Sequence, residues 1–371
     1  MKRIFITSLT SITLLFASGM ANAEVTKSPV AFHFATVGDC RAEPAKANAS
    51  EQDLLWLQNT KVLARMIREL QVAKPQALFF NGDMIYGYTS NKATMERYYA
   101  YWRGMMANLM ESGTYIVPVP GNHEVQIKMK DAEGKEKKRA VVENENIWRA
   151  NMGDLVFNAD QWQSMTHQVA TGWNIDNTPK IGKDGITTDQ RQLSYSFDAG
   201  KNHFAIINTD PAGFDSSAPV TWLKADFEAA KKRGATKFFI FGHKMAFTYV
   251  PPKMKERKQN ITDGFDVRPE IRDAFWNLAE AYHALFFTGH QHTFHAEQPR
   301  KNQDGHAWQV IIGSGGSPFS IPKEYSEQES DRMYSWADVL IYEDGSARIK
   351  IFGFDENFGP TRIIEAWDIA S

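Results

Sequence analysis

Along most of the chain, short apolar runs alternate with amphipathic stretches. Residues 31–37 read as a strand. Ser50-Glu51-Gln52-Asp53 has the form of a capping box, and Leu55, Val62, Leu63, Met66, Ile67 and Leu70 follow at helical spacings. Pro75 stops that helix, and residues 77–80 form a fully apolar strand. A second helix is expected over 91–111, with Met95, Tyr98, Trp102, Met105 and Leu109 on its buried face. Gly113 ends it, before a strand at 115–119. Segments 193–197 and 203–208 read as a hairpin turned at Asp198-Ala199-Gly200. Helices at 220–232 and 269–282 lead into strands at 238–241 and 284–287. Late strands are expected at 310–312, 339–342 and 347–352. Alternation of strands and helices predicts an α/β protein with mainly parallel central strands. Residues 125–190 are polar with little strand character, and read as an insertion after a strand.

The first 23 residues change the picture at the amino terminus. Lys2 and Arg3 precede an apolar run, and Ala21-Asn22-Ala23 offers a small-residue cleavage site, the pattern of a secretory signal peptide. The expected mature chain is one catalytic domain over 24–371 with the insertion inside it. It carries 40 Lys/Arg against 44 Asp/Glu, which argues against general nucleic-acid affinity. No later stretch is apolar enough to span a bilayer. Hydrophobic content of 43% and aromatic content of 12% exclude a disordered chain. Cys40 is the single cysteine, so no intramolecular disulfide forms. Export without a disulfide framework fits a bacterial periplasm.

The chemistry lies at the strand ends. Five apolar runs each lead into glycine and a metal-type ligand: Gly38-Asp39, Gly82-Asp83, Gly121-Asn122, Gly242-His243 and Gly289-His290-Gln291-His292. In open α/β sheets, ligands bind beyond the carboxyl ends of the strands. The strands are therefore expected to bring Asp39, Asp83, Asn122, His243, His290 and His292 to one crevice. These mixed oxygen and nitrogen donors suit Zn, Mn or Fe. They are too many for one ion with an open position, and two ions bridged by a carboxylate would use them all.

In order and spacing this set resembles the calcineurin-like metallophosphoesterases, from Gly38 to His292, over nearly the whole mature chain. Gly82-Asp83-Met84-Ile85-Tyr86 resembles the purple acid phosphatase branch, which has a tyrosine three residues after its bridging aspartate. Tyr195-Ser196-Phe197-Asp198 and Gly313-Ser314-Gly315-Gly316 also look familial. The resemblance implies a four-layer α/β/β/α sandwich with two mixed sheets and a metal site at the carboxyl strand ends. It implies one ion held by Asp39, Asp83, Tyr86 and His292, and a second by Asp83, Asn122, His243 and His290. Asp83 would bridge them, and the Tyr86 phenolate would bind iron, paired with Zn, Mn or a second Fe. His123 would face the phosphoryl oxygen or leaving group. The implied activity is phosphate monoester hydrolysis in acid, by in-line attack of a metal-bridging hydroxide on a small-molecule substrate. The alternative is a phosphodiesterase or nucleotidase on the same scaffold. The oligomeric state is left open.

Arg41 departs from the family. The wider superfamily often has a histidine ligand there, and purple acid phosphatases have glycine. A guanidinium stays protonated and cannot ligate, so Arg41 is expected to contact a substrate phosphate. Cys40 reads as a buried small residue, and His33 and His203 as satisfied strand histidines. Residues 128–139, with six Lys/Arg against three acids, read as a solvated loop or a rim that draws anions. A binding protein with a dead site is disfavoured by the intact ligand set. A serine hydrolase is disfavoured because Gly313-Ser314-Gly315-Gly316-Ser317 lacks the nucleophile-elbow pattern.

Overall fold

The computed structural model describes residues 28–42, 59–257 and 261–371. The leader and the Ser50–Asp53 capping box lie outside them. β1 (Val30–Val37) is followed by α1 (Thr60–Ala73), whose side-chain cap comes from Asn59. The stripe Val62, Leu63, Met66, Ile67 and Leu70 is buried as its periodicity requires, and Lys74 closes α1 in the left-handed region. β2 (Ala77–Phe80), α2 (Lys92–Glu111) and β3 (Tyr115–Pro118) follow. The buried face of α2 is turned slightly from expectation. Tyr99 and Met106 are buried on it, while Tyr98 and Met105 pack only at its edge.

The 125–190 segment holds more order than its polarity suggests. After the short α3 (Asn122–Val125) come β4 (Gln126–Lys130) and β5 (Glu136–Ala140), a hairpin carrying most of the charged stretch. Then come α4 (Val142–Met152), α5 (Ala159–Thr166) and β6 (Ala170–Thr171). The expected hairpin forms from β7 (Tyr195–Ala199) and β8 (Asn202–Ile206). Next are α6 (Val220–Arg233), β9 (Lys237–Phe241), α7 (Pro252–Glu256), α8 (Pro269–Ala281) and β10 (Leu285–Thr288). β11 (Phe294–Glu297), β12 (Trp308–Ile312), β13 (Met333–Tyr342), β14 (Ala347–Asp355) and β15 (Arg362–Ile369) complete the chain.

Two mixed sheets result. One has the order β15-β14-β13-β1-β2-β3, with β1, β2 and β3 parallel. The other has the order β11-β12-β10-β9-β8-β7-β6, with β8, β9, β10 and β12 parallel. Alternation along each strand separates three apolar layers. Phe34, Phe79, Phe204, Phe239, Phe241 and Phe287 face inward between the sheets. Leu78 and Phe80 face α1 and α2, whereas Phe238, Ile240 and Phe286 face α6 and α8. The architecture is the four-layer α/β/β/α sandwich.

Aromatic contact joins the two sheets. Phe79 of β2 stacks on Phe241 of β9 with centroids 3.9 Å apart and planes at 7°. Phe34 meets Phe79 and Phe239 edge to face at 5.3 and 5.4 Å. These rings hold β2 and β9 together just below the turns that carry Asp83 and His243. Phe79→Ala is expected to destabilise the protein by about 3–5 kcal/mol. Urea unfolding measures this, and a loss under about 1 kcal/mol would show that the stack does not join the sheets.

Candidate metal centre

Strong backbone constraint marks the turns after β1, β2 and β10. Asp39, Asp83 and His290 have φ of 60°, 52° and 68°, a region that side chains with a Cβ seldom adopt. Backbone hydrogen bonds hold them there, with Asp39 N donating to Gly82 O at 2.9 Å and Gly289 N to His243 O at 2.9 Å. Such local strain persists where the surroundings over-determine it, and it concentrates at functional sites. Gly121 is required by close approach, since a Cβ there would lie 2.5 Å from Asp83 N.

These turns bring the six expected donors to the ends of both sheets. Asp39, Asp83 and Asn122 follow β1, β2 and β3. His243 follows β9, while His290 and His292 follow β10. Asp39, Asp83 and His243 present donor atoms that all lie within 4.8 Å of one another, and all three residues are buried. Asn122 Oδ1 lies 2.9 Å from His243 Nε2 and 2.8 Å from His290 Nδ1. His243 Nε2 lies 3.1 Å from Asp83 Oδ1 and 3.2 Å from His290 Nδ1. Neighbouring donors around an ion with bonds near 2.1 Å are spaced on the order of 3 Å. Nearby, His292 Nε2 stands 3.4 Å from Asp39 Oδ1.

Each imidazole is held from outside. His243 Nδ1 donates to Asn81 O at 2.7 Å, and His292 Nδ1 to Pro318 O at 2.6 Å. His290 Nε2 is 3.0 Å from Asp263 Oδ2. In all three, the other ring nitrogen faces the cluster, as in a metal ligand oriented by an outer partner. Asp39 Oδ1 is buried and accepts no hydrogen bond, whereas Oδ2 accepts from His290 N at 2.9 Å. A buried carboxylate oxygen without a donor fits a cation. The residues present therefore fit a bound metal.

The electrostatics agree. Burial alone would raise the Asp83 pKa, but His123, His243 and Arg41 outweigh it and hold the carboxyl well below its usual range. Burial would lower His243, but Asp83 and Asp39 outweigh it and raise the imidazole to about 10. Burial, and then the Asp83 charge, push the Glu124 carboxyl up to about 7.

The remaining expected residues take distinct places. His123 is buried, with Nδ1 hydrogen-bonded to the Tyr86 carbonyl and Nε2 3.6 Å from Asp83 Oδ2. Arg41 is buried and enters the cluster, where Nε donates to Asp83 Oδ2 at 3.1 Å and Nη2 lies 3.3 Å from His292 Nε2. Tyr86 is half-buried, and its ring centroid lies 6.0 Å from that of His123. Cys40 is buried, and its Sγ donates to Met84 O at 3.5 Å.

Three contributors escaped the sequence reading. The Glu124 carboxylate accepts from Gly121 N (2.7 Å), Asp83 N (2.9 Å), Met84 N (2.8 Å) and Ile85 N (3.3 Å), and so shapes the loop that carries Asp83. Tyr88 accepts from Asn122 Nδ2 at 2.5 Å, which turns Oδ1 toward the histidines, and its ring packs 3.8 Å from His123. Asp263 orients His290. Only Glu124 had a sequence cue, as the acid closing Gly-Asn-His-Glu.

A family model for calcineurin-like phosphoesterases matches residues 33–294, which span every donor named above. The chain belongs to the calcineurin-like phosphoesterase family. Its scaffold is that of a metal-dependent phosphoester hydrolase. No curated protein matches it in sequence. Among solved structures it is similar to a purple acid phosphatase from yellow lupin (Lupinus luteus) seeds, with a TM-score of 0.55 and 13% identity. That match covers 93% of this chain and 54% of the lupin chain, so the present chain spans about half the length of that relative. A dimetal phosphatase from Danio rerio matches at a TM-score of 0.46 and 13% identity, over 92% of this chain and 99% of that one.

Glu124→Ala would leave four buried amide groups short of an acceptor. Each such loss costs about 1–3 kcal/mol, so a destabilisation of about 3 kcal/mol or more is expected in denaturant unfolding. Stability within about 0.5 kcal/mol of wild type would show that the Asp83 loop is held by other means.

Proposed function

We propose that this phosphoesterase is an exported hydrolase of small phosphate monoesters, most active in mild acid, with a pair of metal ions. The pattern of residues 1–23 supports export, and among the described residues no helix is long and apolar enough to cross a membrane. The observation that carries the reading is the convergence of oxygen and nitrogen donors from both sheets on the buried Asp83. One position would draw on Asp39, Asp83 and His292, with Tyr86 as a further ligand. The other would draw on Asp83, Asn122, His243 and His290. When bound, two such ions activate water at neutral pH and offset phosphate charge.

The chain's own residues supply the rest. His123 has Nδ1–H committed to the Tyr86 carbonyl, so Nε2 is the atom that can exchange a proton with a phosphoryl or leaving oxygen. Arg41 adds a fixed positive charge beside it. Above them, Lys138 and Lys128 of the β4–β5 hairpin lie 4.5 and 5.3 Å from the Tyr88 ring centroid. This charge supports an anionic phosphate ester as substrate, because clefts of one sign concentrate the opposite charge.

The test compares an aryl phosphate monoester with the matching diester, in mild acid and at neutral pH. Faster monoester turnover, best in acid, is expected, with a loss of at least about 100-fold in His243→Ala. Diester preference would overturn the monoester reading, and undiminished activity in His243→Ala would remove that residue from the centre. Iron as one of the ions is the finer proposal, resting on Tyr86. Tyr86→Phe is expected to abolish the visible absorption of the iron-loaded protein, and an unchanged spectrum would exclude Tyr86 as ligand.

A further inference from the structure

The two metal positions are not alike. Around Asn122, His243, His290 and Asp83 Oδ1, the donors face one another, and the Arg41 contacts lie at the other position, on Asp83 Oδ2 and His292 Nε2. The other position holds a permanent cation. Arg41 lies between Asp83 Oδ2, 3.1 Å from Nε, and His292 Nε2, 3.3 Å from Nη2. These are two of the atoms an ion would need there. A guanidinium stays protonated, so Arg41 remains a cation beside any ion that enters this position.

Arg41 is also built in. Its carbonyl accepts from Ser317 Oγ at 2.7 Å, and Ser317 N donates to Asp39 O at 2.9 Å. Gly315 N donates to Gly38 O at 2.9 Å, so the loop over 313–317 lies along the whole Gly38–Arg41 turn. Its side chain is only 7% exposed, and among the described residues no other arginine is buried. The 313–317 loop, which lacks the nucleophile-elbow pattern, here fixes the residue beside the metal ligands.

We infer that Arg41 occupies the Asp39–His292 position as an internal cation, so that the two ions bind in sequence and with unequal affinity. The first ion enters the Asn122–His243–His290 position. The second must displace the guanidinium from Asp83 Oδ2 and His292 Nε2. This inference deepens the proposed function and rests on it.

The test uses the full mature chain stripped of metal and titrated with Zn²⁺ by calorimetry, with stoichiometry checked by elemental analysis. Wild type is expected to take one tight equivalent and a second weaker by on the order of 100-fold, since a unit charge a few ångströms from a cation is strongly opposed. Arg41→Ala and Arg41→Gln should bring the two affinities to within about ten-fold, while Arg41→Lys keeps the gap. His290→Ala should remove the tight equivalent, and His292→Ala only the weak one. Two equal equivalents in wild type, or an unchanged second affinity in both Arg41→Ala and Arg41→Gln, would overturn this inference and leave the proposed function standing. Absence of any Zn²⁺ binding in wild type would overturn the proposed function and this inference together. Retained circular dichroism in Arg41→Gln guards against a folding defect.

Discussion

A carboxylate taken out of water must be met by charge and by hydrogen bonds, and Asp83 is such a carboxylate, buried to 1% exposure. Much of the surrounding structure answers that requirement. His243 comes from one sheet, while His123 and Arg41 come from the turns of the other. The Asp83 backbone is held in the left-handed region with help from Glu124, itself an acid whose pKa is raised by burial and then by the nearby Asp83 charge. Two buried acids so close need either bound protons or cations, and that need is the physical root of the centre.

The sandwich makes this possible. Parallel strands within each sheet release their chains at the same edge, and the aromatic layer keeps the two edges in register with each other. Phe79 and Phe241 stack across the gap, while Asp83 and His243, four and two residues further on, meet at 3.1 Å. The apolar interior therefore fixes the placement of polar groups that the interior itself could not hold.

The donors and central strands were legible because each lies where a short apolar run meets glycine. That signal needs no long-range information. Other features depend on partners far along the chain. Asp263 acts on His290 from 27 residues away, with no motif of its own. Tyr88 matters through a bond to Asn122, and a phenol in a loop carries no mark of that. β15 was missed because its exposed edge position allows Arg, Glu and Asp in the strand. The β4–β5 hairpin was hidden by lysines on both faces, since a strand without a buried side has no alternation to read. In α2 the stripe was displaced by one residue, because Tyr98 and Tyr99, like Met105 and Met106, are equally apolar and only packing chooses between them.

The donors are divided between the sheets, three from each. His290 already reaches Asp39 across 251 residues of chain. An ion held by both groups would tie together segments whose encounter in the unfolded chain carries a large loop-closure entropy. In a chain with a single cysteine, such an ion is the nearest equivalent of a disulfide. It would be a cross-link that forms and releases with the supply of metal in the surroundings, so that resistance to unfolding and to proteolysis would follow metal availability.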